Sequence, residues 1–245
     1  MTLGLLMKIR AIGFDLGETL IVYRDTPLNW VSLYPEALRT VARACACELS
    51  ELQLSLADST LRRYNTRITP RTQEVKAEAI FTEILQGWDC DVPSNLSVAV
   101  EAFFGFFQQN MDTYPETVKV LAFLRERGIP TGILTDVPYG MPRSFAECDI
   151  QRAGIAGLFD VLLTSVEVGV RKPESDGYVA LANRLGIAPN ELAYVGNEPK
   201  DVIGARRAGA VAIFLDREQT GDNHGQQFTI TTLSEIDGIF SSSNS

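Results

Sequence analysis

The sequence predicts an α/β fold, in which helices cover a parallel β-sheet and an all-helical segment is inserted after the first strand. Residues 9–14 (IRAIGF) form a short apolar stretch that ends at a turn with Asp15 and Gly17, which is typical of a buried strand. A long helical stretch comes next. From Pro115 onward, helices alternate with short apolar strands, and this alternation indicates a parallel sheet with helices on its faces.

The individual elements follow from periodicity along the chain. Apolar residues recur at helical spacing in the inserted segment over 34–49, 74–86 and 96–111. Beyond it, the pattern predicts strands at 131–135, 161–164, 192–195 and 211–215, and helices at 116–127, 175–185 and 202–208. The predicted domains are therefore 1–23 together with 113–245 for the α/β core, and 24–112 for the helical insert.

The charge balance excludes several classes of partner. The net charge is −9 and the isoelectric point is near 4.8, so no basic face is available for nucleic acid or anionic lipid. No run approaches the roughly 20 apolar residues of a membrane-spanning helix. We expect a monomer or homodimer without nucleic-acid or membrane partners. Because an acidic surface repels anions, a site for a phosphorylated substrate must supply its own positive charge.

The cysteines give no sign of a function. Cys45, Cys47, Cys90 and Cys148 show no regular framework, and with one histidine in the chain there is no zinc-binding pattern. Cys45 and Cys47 lie in an apparent helix, where residues two apart point to different faces, so we interpret them as small packed side chains. This pattern fits a cytoplasmic protein best.

Polar residues follow the predicted strands at the edge where open parallel sheets bind ligands. Asp15 follows the first strand, and Thr135 ends a later one. Lys172 lies in a loop before a proline, and Asn197 and Asp201 follow another strand. Each of these residues is also explained by an ordinary structural role, such as a turn, a helix cap or a solvated charge.

Taken together, these segments resemble the four motifs of the haloacid dehalogenase superfamily. They occur in the superfamily's order and spacing, as DLGET at 15–19, a strand ending in Thr135, Lys172-Pro173, and GNEPKD at 196–201. The resemblance implies a Rossmann-like three-layer core with a parallel sheet. It also implies that the helical insert is a type-1 cap.

The resemblance further implies a covalent phosphatase mechanism. Asp15 would attack phosphorus and form an aspartyl-phosphate, and Thr135 and Lys172 would bind the phosphoryl oxygens beside Asp136.

The resemblance also implies a Mg²⁺ cofactor. Its ligands would be the Asp15 carboxylate, the Gly17 carbonyl and the Asn197 side chain. Asp201 would complete this group at the metal, by orienting Lys172 or a metal-bound water.

The sequence departs from the superfamily's phosphatases at two positions. Gly17 replaces the second aspartate, which protonates the leaving group and then activates water, and such general acid/base catalysis is worth about 10²–10⁴ in rate. We expect the side chain of the adjacent Glu18 to leave the turn in another direction. Asn197 replaces a carboxylate, although its amide oxygen still ligates Mg²⁺. Glu198 would compensate for that lost charge only if the turn presents it inward.

Three functions are consistent with this sequence. The leading one is a Mg²⁺-dependent phosphatase of a small phosphorylated metabolite. The alternative is a non-catalytic or very slow binding protein, which Gly17 and Asn197 suggest, and the third is a 2-haloacid dehalogenase. The residues of the cap that are candidates for substrate contact are Trp30, Tyr34, Arg62, Arg63, Tyr64 and Arg67. Four aromatic residues form a group that is too wide for one helix face, namely Phe103, Phe104, Phe106 and Phe107. This group predicts a core for the cap plus a contact surface.

Overall fold

The computed structural model describes residues 9–24, 26–108 and 110–241, so residues 1–8 of the predicted core lie outside it. The described strands are β1 (Ala11–Phe14), β2 (Ile21–Tyr23), β3 (Met111–Thr113), β4 (Thr131–Thr135), β5 (Val161–Thr164), β6 (Leu192–Gly196), β7 (Val211–Leu215) and β8 (Phe228–Ile230). The described α-helices are α1 (Tyr34–Ala44), α2 (Glu51–Tyr64), α3 (Ala77–Gly87), α4 (Val92–Phe107), α5 (Thr117–Glu126), α6 (Arg143–Arg152), α7 (Ser165–Val168), α8 (Asp176–Arg184), α9 (Pro199–Arg207) and α10 (Ile236–Ser241).

Six strands form one parallel sheet in the order β5-β4-β1-β6-β7-β8. In β1, Ile12 pairs with Thr131 of β4 on one side and with Ala193 of β6 on the other. The first strand of the chain is therefore central, and its carboxyl end lies between those of β4 and β6. Of the predicted strands, those at 131–135, 161–164 and 211–215 have the predicted bounds.

Successive strand residues point to opposite faces of the sheet, and helices bury both faces. On one face, Ile12 and Phe14 pack in a cluster with residues of α5 and α6. On the other face, Ala11 and Tyr194 pack in a second cluster with residues of α8 and α9. This three-layer arrangement confirms the predicted α/β, Rossmann-like fold.

The helices α1 to α4 pack together around an aromatic interior. Phe103, Phe104 and Phe107 are buried, and the indole of Trp30 stacks on Phe107 with ring centroids 3.9 Å apart. Phe106 is half-buried and packs against the same cluster. The predicted aromatic group thus forms the interior of the cap, and the number of subunits stays a prediction.

The periodicity indicated a purely helical segment after β1, but the structure also has two short strands there. β2 pairs antiparallel with β3, and Met111, which the pattern placed at the end of a helix, begins β3 instead. Strands of three residues are too short to give a period-two signal. The pattern also missed α2, because Leu52 and Leu56 of that helix are exposed and blur its apolar stripe.

Among the contacts between cap and core, one joins the loop before α3 to the loop after α7. The backbone N–H of Glu74 donates to the Gly169 carbonyl at 3.0 Å, and that of Arg171 donates to the Thr72 carbonyl at 2.7 Å. The buried carboxylate of Glu74 pairs with Arg171 and accepts a hydrogen bond from Ser165 Oγ at 2.5 Å. The cap is therefore fixed to the loop that carries Lys172.

The sequence suggested that the cysteines are separate packed side chains, but two of them are bonded to each other. Cys47 and Cys90 form a disulfide across 43 residues, which joins the end of α1 to the end of α3. The interpretation was wrong because the partner of Cys47 is Cys90, which lies in the loop after α3, rather than neighbouring Cys45. Disulfides are typical of oxidising compartments and rare in the cytosol. The disulfide therefore gives no support to the cytoplasmic location, which stays a prediction. Within the described ranges, no helix has the length and apolar character to cross a membrane.

Candidate active site

Three of the predicted site residues meet at the carboxyl edge of the sheet. The Lys172 ammonium lies 2.6 Å from Asp15 Oδ1 and 2.7 Å from Asp201 Oδ1. All three side chains are buried, with the Lys172 side chain only 2% exposed. Asp15 follows β1, and Asp201 lies in the first turn of α9, which follows the neighbouring strand β6. The parallel topology therefore brings together residues that are far apart in sequence.

Local backbone contacts hold these side chains in place. The Asp136 carboxylate, one residue beyond β4, accepts a hydrogen bond from the backbone N–H of Lys172 at 3.1 Å. The second oxygen of Asp201 accepts from the backbone N–H of Glu198 at 2.9 Å. Gly196 must lack a side chain, since a β-carbon there would overlap the Asp201 carboxylate. With both its oxygens engaged, Asp201 is arranged to orient Lys172.

Burial and charge act in opposite directions on this group. Burial raises the pKa of Asp15 to about 6, and the Lys172 ammonium offsets part of that rise. Burial by itself would lower the pKa of Lys172, but the Asp15 and Asp201 carboxylates hold it well above its usual value. At neutral pH, Asp15 is therefore an ionised carboxylate beside a fixed cation, which suits a nucleophile that attacks an anionic phosphoryl group.

The candidate metal ligands are all hard oxygen donors. Asp15, Gly17 and Asn197 line one cavity, and the Thr19 hydroxyl donates to Asn197 Oδ1 at 3.2 Å. No three His, Cys, Asp or Glu side chains in the described ranges cluster as a metal site. One carboxylate, a carbonyl and an amide oxygen match Mg²⁺, which binds through one or two carboxylates and completes its shell with water and substrate phosphate. The donor set thus fits Mg²⁺.

A cavity of about 170 Å³ lies between the core and the cap. The predicted site residues that line this cavity are Asp15, Gly17, Thr135, Asp136 and Asn197. Lys172, which contacts Asp15, lines an adjoining groove. Typical ligand sites measure roughly 300–1,000 Å³, so this cavity suits a small substrate.

The structure separates the six cap candidates into two groups. Trp30, Tyr64 and Arg67 line the cavity. The other three do not. Tyr34 is buried and its hydroxyl is hydrogen-bonded to that of Tyr139, and the two remaining arginines pair within the cap, Arg62 with Asp58 and Arg63 with Glu83.

Several residues that line the cavity were not among the predicted site residues, although Arg171 was expected to add positive charge beside Lys172. Tyr139 follows β4, has a left-handed backbone with a φ of 50°, and carries its side chain into the cap. Arg171 pairs with Glu74 of the cap, and Lys200 Nζ lies 2.7 Å from a Glu198 oxygen. Arg171 and Lys200 flank recognised motif residues and so had a weak signal, whereas Tyr139 had none.

Two carboxylates near Gly17 are candidates to replace the missing aspartate. Glu18 has a φ of 57°, and its carboxylate accepts a hydrogen bond from the Tyr114 hydroxyl at 3.0 Å. Glu198 is turned inward, as charge compensation required, but Lys200 and Arg67 outweigh its burial and lower its pKa to about 2. A carboxyl with that pKa holds no proton at neutral pH, so Glu198 is unsuited to protonating a leaving group.

The sheet order, the helical insert and the strand-end carboxylate define a hydrolase class. A family model described as haloacid dehalogenase-like hydrolase matches residues 9–209, and the chain belongs to this family.

Individual relatives fall in the same class. A glyceraldehyde 3-phosphate phosphatase of Methanopyrus kandleri is 32% identical over 93% of this chain and 95% of its own length. A phosphoserine phosphatase of Thermus thermophilus is 37% identical over 57% of this chain, and the alignment spans 54% of that relative. A HAD phosphatase structure from Thermococcus onnurineus shares the fold, with a TM-score of 0.62 and 22% identity over 97% of this chain and 100% of that one.

Proposed function

We propose that this protein is a Mg²⁺-dependent phosphatase that hydrolyses a small phosphorylated metabolite through an aspartyl-phosphate at Asp15. The observation that carries the proposal is the contact at 2.6 Å between the Lys172 ammonium and the Asp15 carboxylate, which lines the cavity together with Thr135 and Asn197. The relatives named as phosphatases of glyceraldehyde 3-phosphate and phosphoserine support this substrate class. The cavity volume of about 170 Å³ also favours a small metabolite.

In the first half-reaction, the Asp15 carboxylate attacks phosphorus, and the bond from phosphorus to the ester oxygen breaks. The product alcohol leaves after taking up a proton. Lys172 and the Thr135 hydroxyl stabilise the phosphoryl oxygens, where negative charge concentrates as the bonds exchange. Asp201, at 2.7 Å from Lys172 Nζ, keeps that ammonium in place.

In the second half-reaction, water attacks phosphorus of the aspartyl-phosphate, releases inorganic phosphate and restores the Asp15 carboxylate. We assign Mg²⁺ to Asp15, the Gly17 carbonyl and Asn197, where it would offset the phosphate charge and align the phosphoryl group. The cap shields the cavity from bulk water.

The absence of a carboxylate at Gly17 sets the expected substrate preference. Without a positioned acid, the leaving group must accept its proton from water, so esters of acidic alcohols should react faster than alkyl esters. This same feature favours the second candidate function, a protein that binds a phosphorylated ligand with little or no turnover.

The experiment that tests the proposal is a phosphatase screen with p-nitrophenyl phosphate and a metabolite panel, with Mg²⁺ and with excess chelator. We expect hydrolysis that requires Mg²⁺ and that Asp15→Asn abolishes without loss of the folded state, because an amide does not attack phosphorus. Phosphate binding without turnover would favour the binding protein. Chloride release from a 2-chloroacid without metal would instead favour the dehalogenase.

A further inference from the structure

The cap contributes a single charged side chain to the cavity. Of the described residues between 24 and 112 that line it, Arg67 alone is charged, and the others are Thr26, Pro27, Leu28, Trp30, Tyr64, Asn65 and Thr66. In the proposed function, residues of the core bind the phosphate end of the substrate. Arg67, on the cap side of the same cavity, is then placed to contact the opposite end.

A built turn holds Arg67 in this position. The side-chain oxygen of Asn65 accepts a hydrogen bond from the backbone N–H of Arg67 at 2.8 Å. Asn65 itself is buried, and its amide nitrogen donates to Asn29 Oδ1 at 2.9 Å and to the Tyr34 hydroxyl at 2.7 Å. The backbone that carries the guanidinium is thus tied to the cap interior.

The guanidinium still has donors to offer. Its Nη1 is bonded to the Glu198 carboxylate, and within the described part of the chain no partner is found for Nε or Nη2. The Arg67 side chain is 41% exposed, so these donors are accessible. A guanidinium has five N–H groups in a planar fork, and the fork matches a carboxylate with two parallel hydrogen bonds.

Other basic side chains lie close to Arg67. The groove that adjoins the cavity shares Arg67 with it, and has a volume of about 480 Å³. Its charged lining residues consist of Arg67, Arg71, Arg171, Lys172, Lys200 and the single carboxylate Asp136. The neighbouring cations are paired with carboxylates, Arg71 and Arg171 with Glu74, Lys172 with Asp15 and Asp201, and Lys200 with Asp136 and Glu198. The attraction for an anion therefore rests on the donors that Arg67 still offers.

We propose that Arg67 binds a carboxylate carried by the substrate at the end opposite to its phosphate. The substrate class is therefore a short phosphomonoester of a hydroxy acid, and this assignment rests on the proposed phosphatase function. Arg67 is a specificity residue: it raises the affinity for carboxylate-bearing esters and takes no part in the transfer of phosphorus.

The test measures inhibition constants of small esters that compete with hydrolysis of p-nitrophenyl phosphate. Phosphoglycolate carries the carboxylate, hydroxyethyl phosphate is its neutral counterpart, and ethylene glycol bisphosphate carries a second phosphate. The variants are Arg67→Gln and Arg67→Lys. The matched control is Arg63→Gln, which removes a cap arginine that does not line the cavity.

We expect wild type to bind phosphoglycolate more tightly than hydroxyethyl phosphate. Arg67→Gln should weaken phosphoglycolate by about 10- to 100-fold, the range of a lost charge-assisted pair, and hydroxyethyl phosphate by less than about threefold. Arg67→Lys should recover part of the loss. Arg63→Gln should change the inhibition constants of all three esters and the KM of p-nitrophenyl phosphate by less than about threefold.

Several results would overturn the assignment. Equal losses of affinity for the charged and neutral esters would show that Arg67 stabilises the position of the cap and does not bind the substrate carboxylate. Unchanged phosphoglycolate inhibition would remove Arg67 from recognition, and a preference for the bisphosphate would replace the carboxylate by a second phosphate. In each of these cases the phosphatase function stands. Absence of any hydrolysis by wild type would instead defeat the proposed function, and the Arg67 assignment with it.

Discussion

Gly17→Asp supplies a carboxyl group where the superfamily's phosphatases carry one, and it tests whether the rest of the site is competent. The main risk of this substitution is a left-handed backbone at residue 17, because such a backbone would strain any side chain introduced there. The structure removes that risk, because Gly17 does not have a positive φ and a β-carbon built there meets no atom within 4 Å. Since Gly17 lines the cavity, the new side chain has room to reach it.

The expected gain follows from the chemistry that is missing. General acid/base catalysis is worth about 10²–10⁴ in rate, or about 2.7–5.4 kcal/mol of barrier. Alkyl phosphates, whose leaving groups need a proton most, should approach that gain. p-Nitrophenyl phosphate should gain less, because its leaving group departs without one.

The assay compares kcat/KM for hydroxyethyl phosphate and p-nitrophenyl phosphate in wild type, Gly17→Asp and Gly17→Asn. The asparagine variant has nearly the same size and cannot exchange a proton, so it separates catalysis from a change in packing. A folded, Mg²⁺-binding Gly17→Asp variant with no rise on either ester would refute the idea of a phosphatase that lacks only its acid. The binding-protein function would then be favoured.

Two further predictions concern stability. Glu74→Ala leaves the buried Arg171 without its nearest carboxylate and should lower the free energy of unfolding by about 3–5 kcal/mol in urea titrations, whereas Glu147→Ala, which breaks an exposed pair with Arg143, should cost below about 1 kcal/mol. Equal losses would show that the contact between cap and core is no stronger than a surface pair. Burial raises the pKa of the Asp149 carboxyl above its ordinary value of 3.8, so ionising it costs stability, and the stability of Asp149→Asn relative to wild type should increase as the pH rises above that value. A gain that is independent of pH would contradict this assignment.

The core of the fold was predictable because buried parallel strands are continuous apolar runs. The strands at 131–135 and 211–215 needed no information beyond their own residues. The helix at 51–64 was not predictable, because Leu52 and Leu56 face solvent and its amphipathic pattern is weak. The pairing of Cys47 with Cys90 depends on how the cap helices pack, which local periodicity does not encode.

The candidate site divides along the same line. The proximity of Asp15 and Asp201 follows from their positions beyond the neighbouring strands β1 and β6, and Lys172 reaches both carboxylates from the loop after α7 at the same edge of the sheet. Tyr139 and Glu74 reach their partners from irregular segments, so only tertiary packing places them. Arg67 lay between these cases, since the sequence marked it as one of six cap candidates and the structure selected it with Trp30 and Tyr64.

The covalent role of Asp15 is tested most directly by the stereochemical course of hydrolysis. The substrate is a phenyl phosphorothioate made chiral at phosphorus by sulfur and two different oxygen isotopes, and it is hydrolysed in water labelled with the third isotope, so that the inorganic thiophosphate released is itself chiral. Attack by Asp15 followed by attack of water gives two displacements, so we expect retention of configuration at phosphorus even if the aspartyl-phosphate never accumulates. Inversion would mean that water attacks the ester directly, and would contradict a nucleophilic role for Asp15.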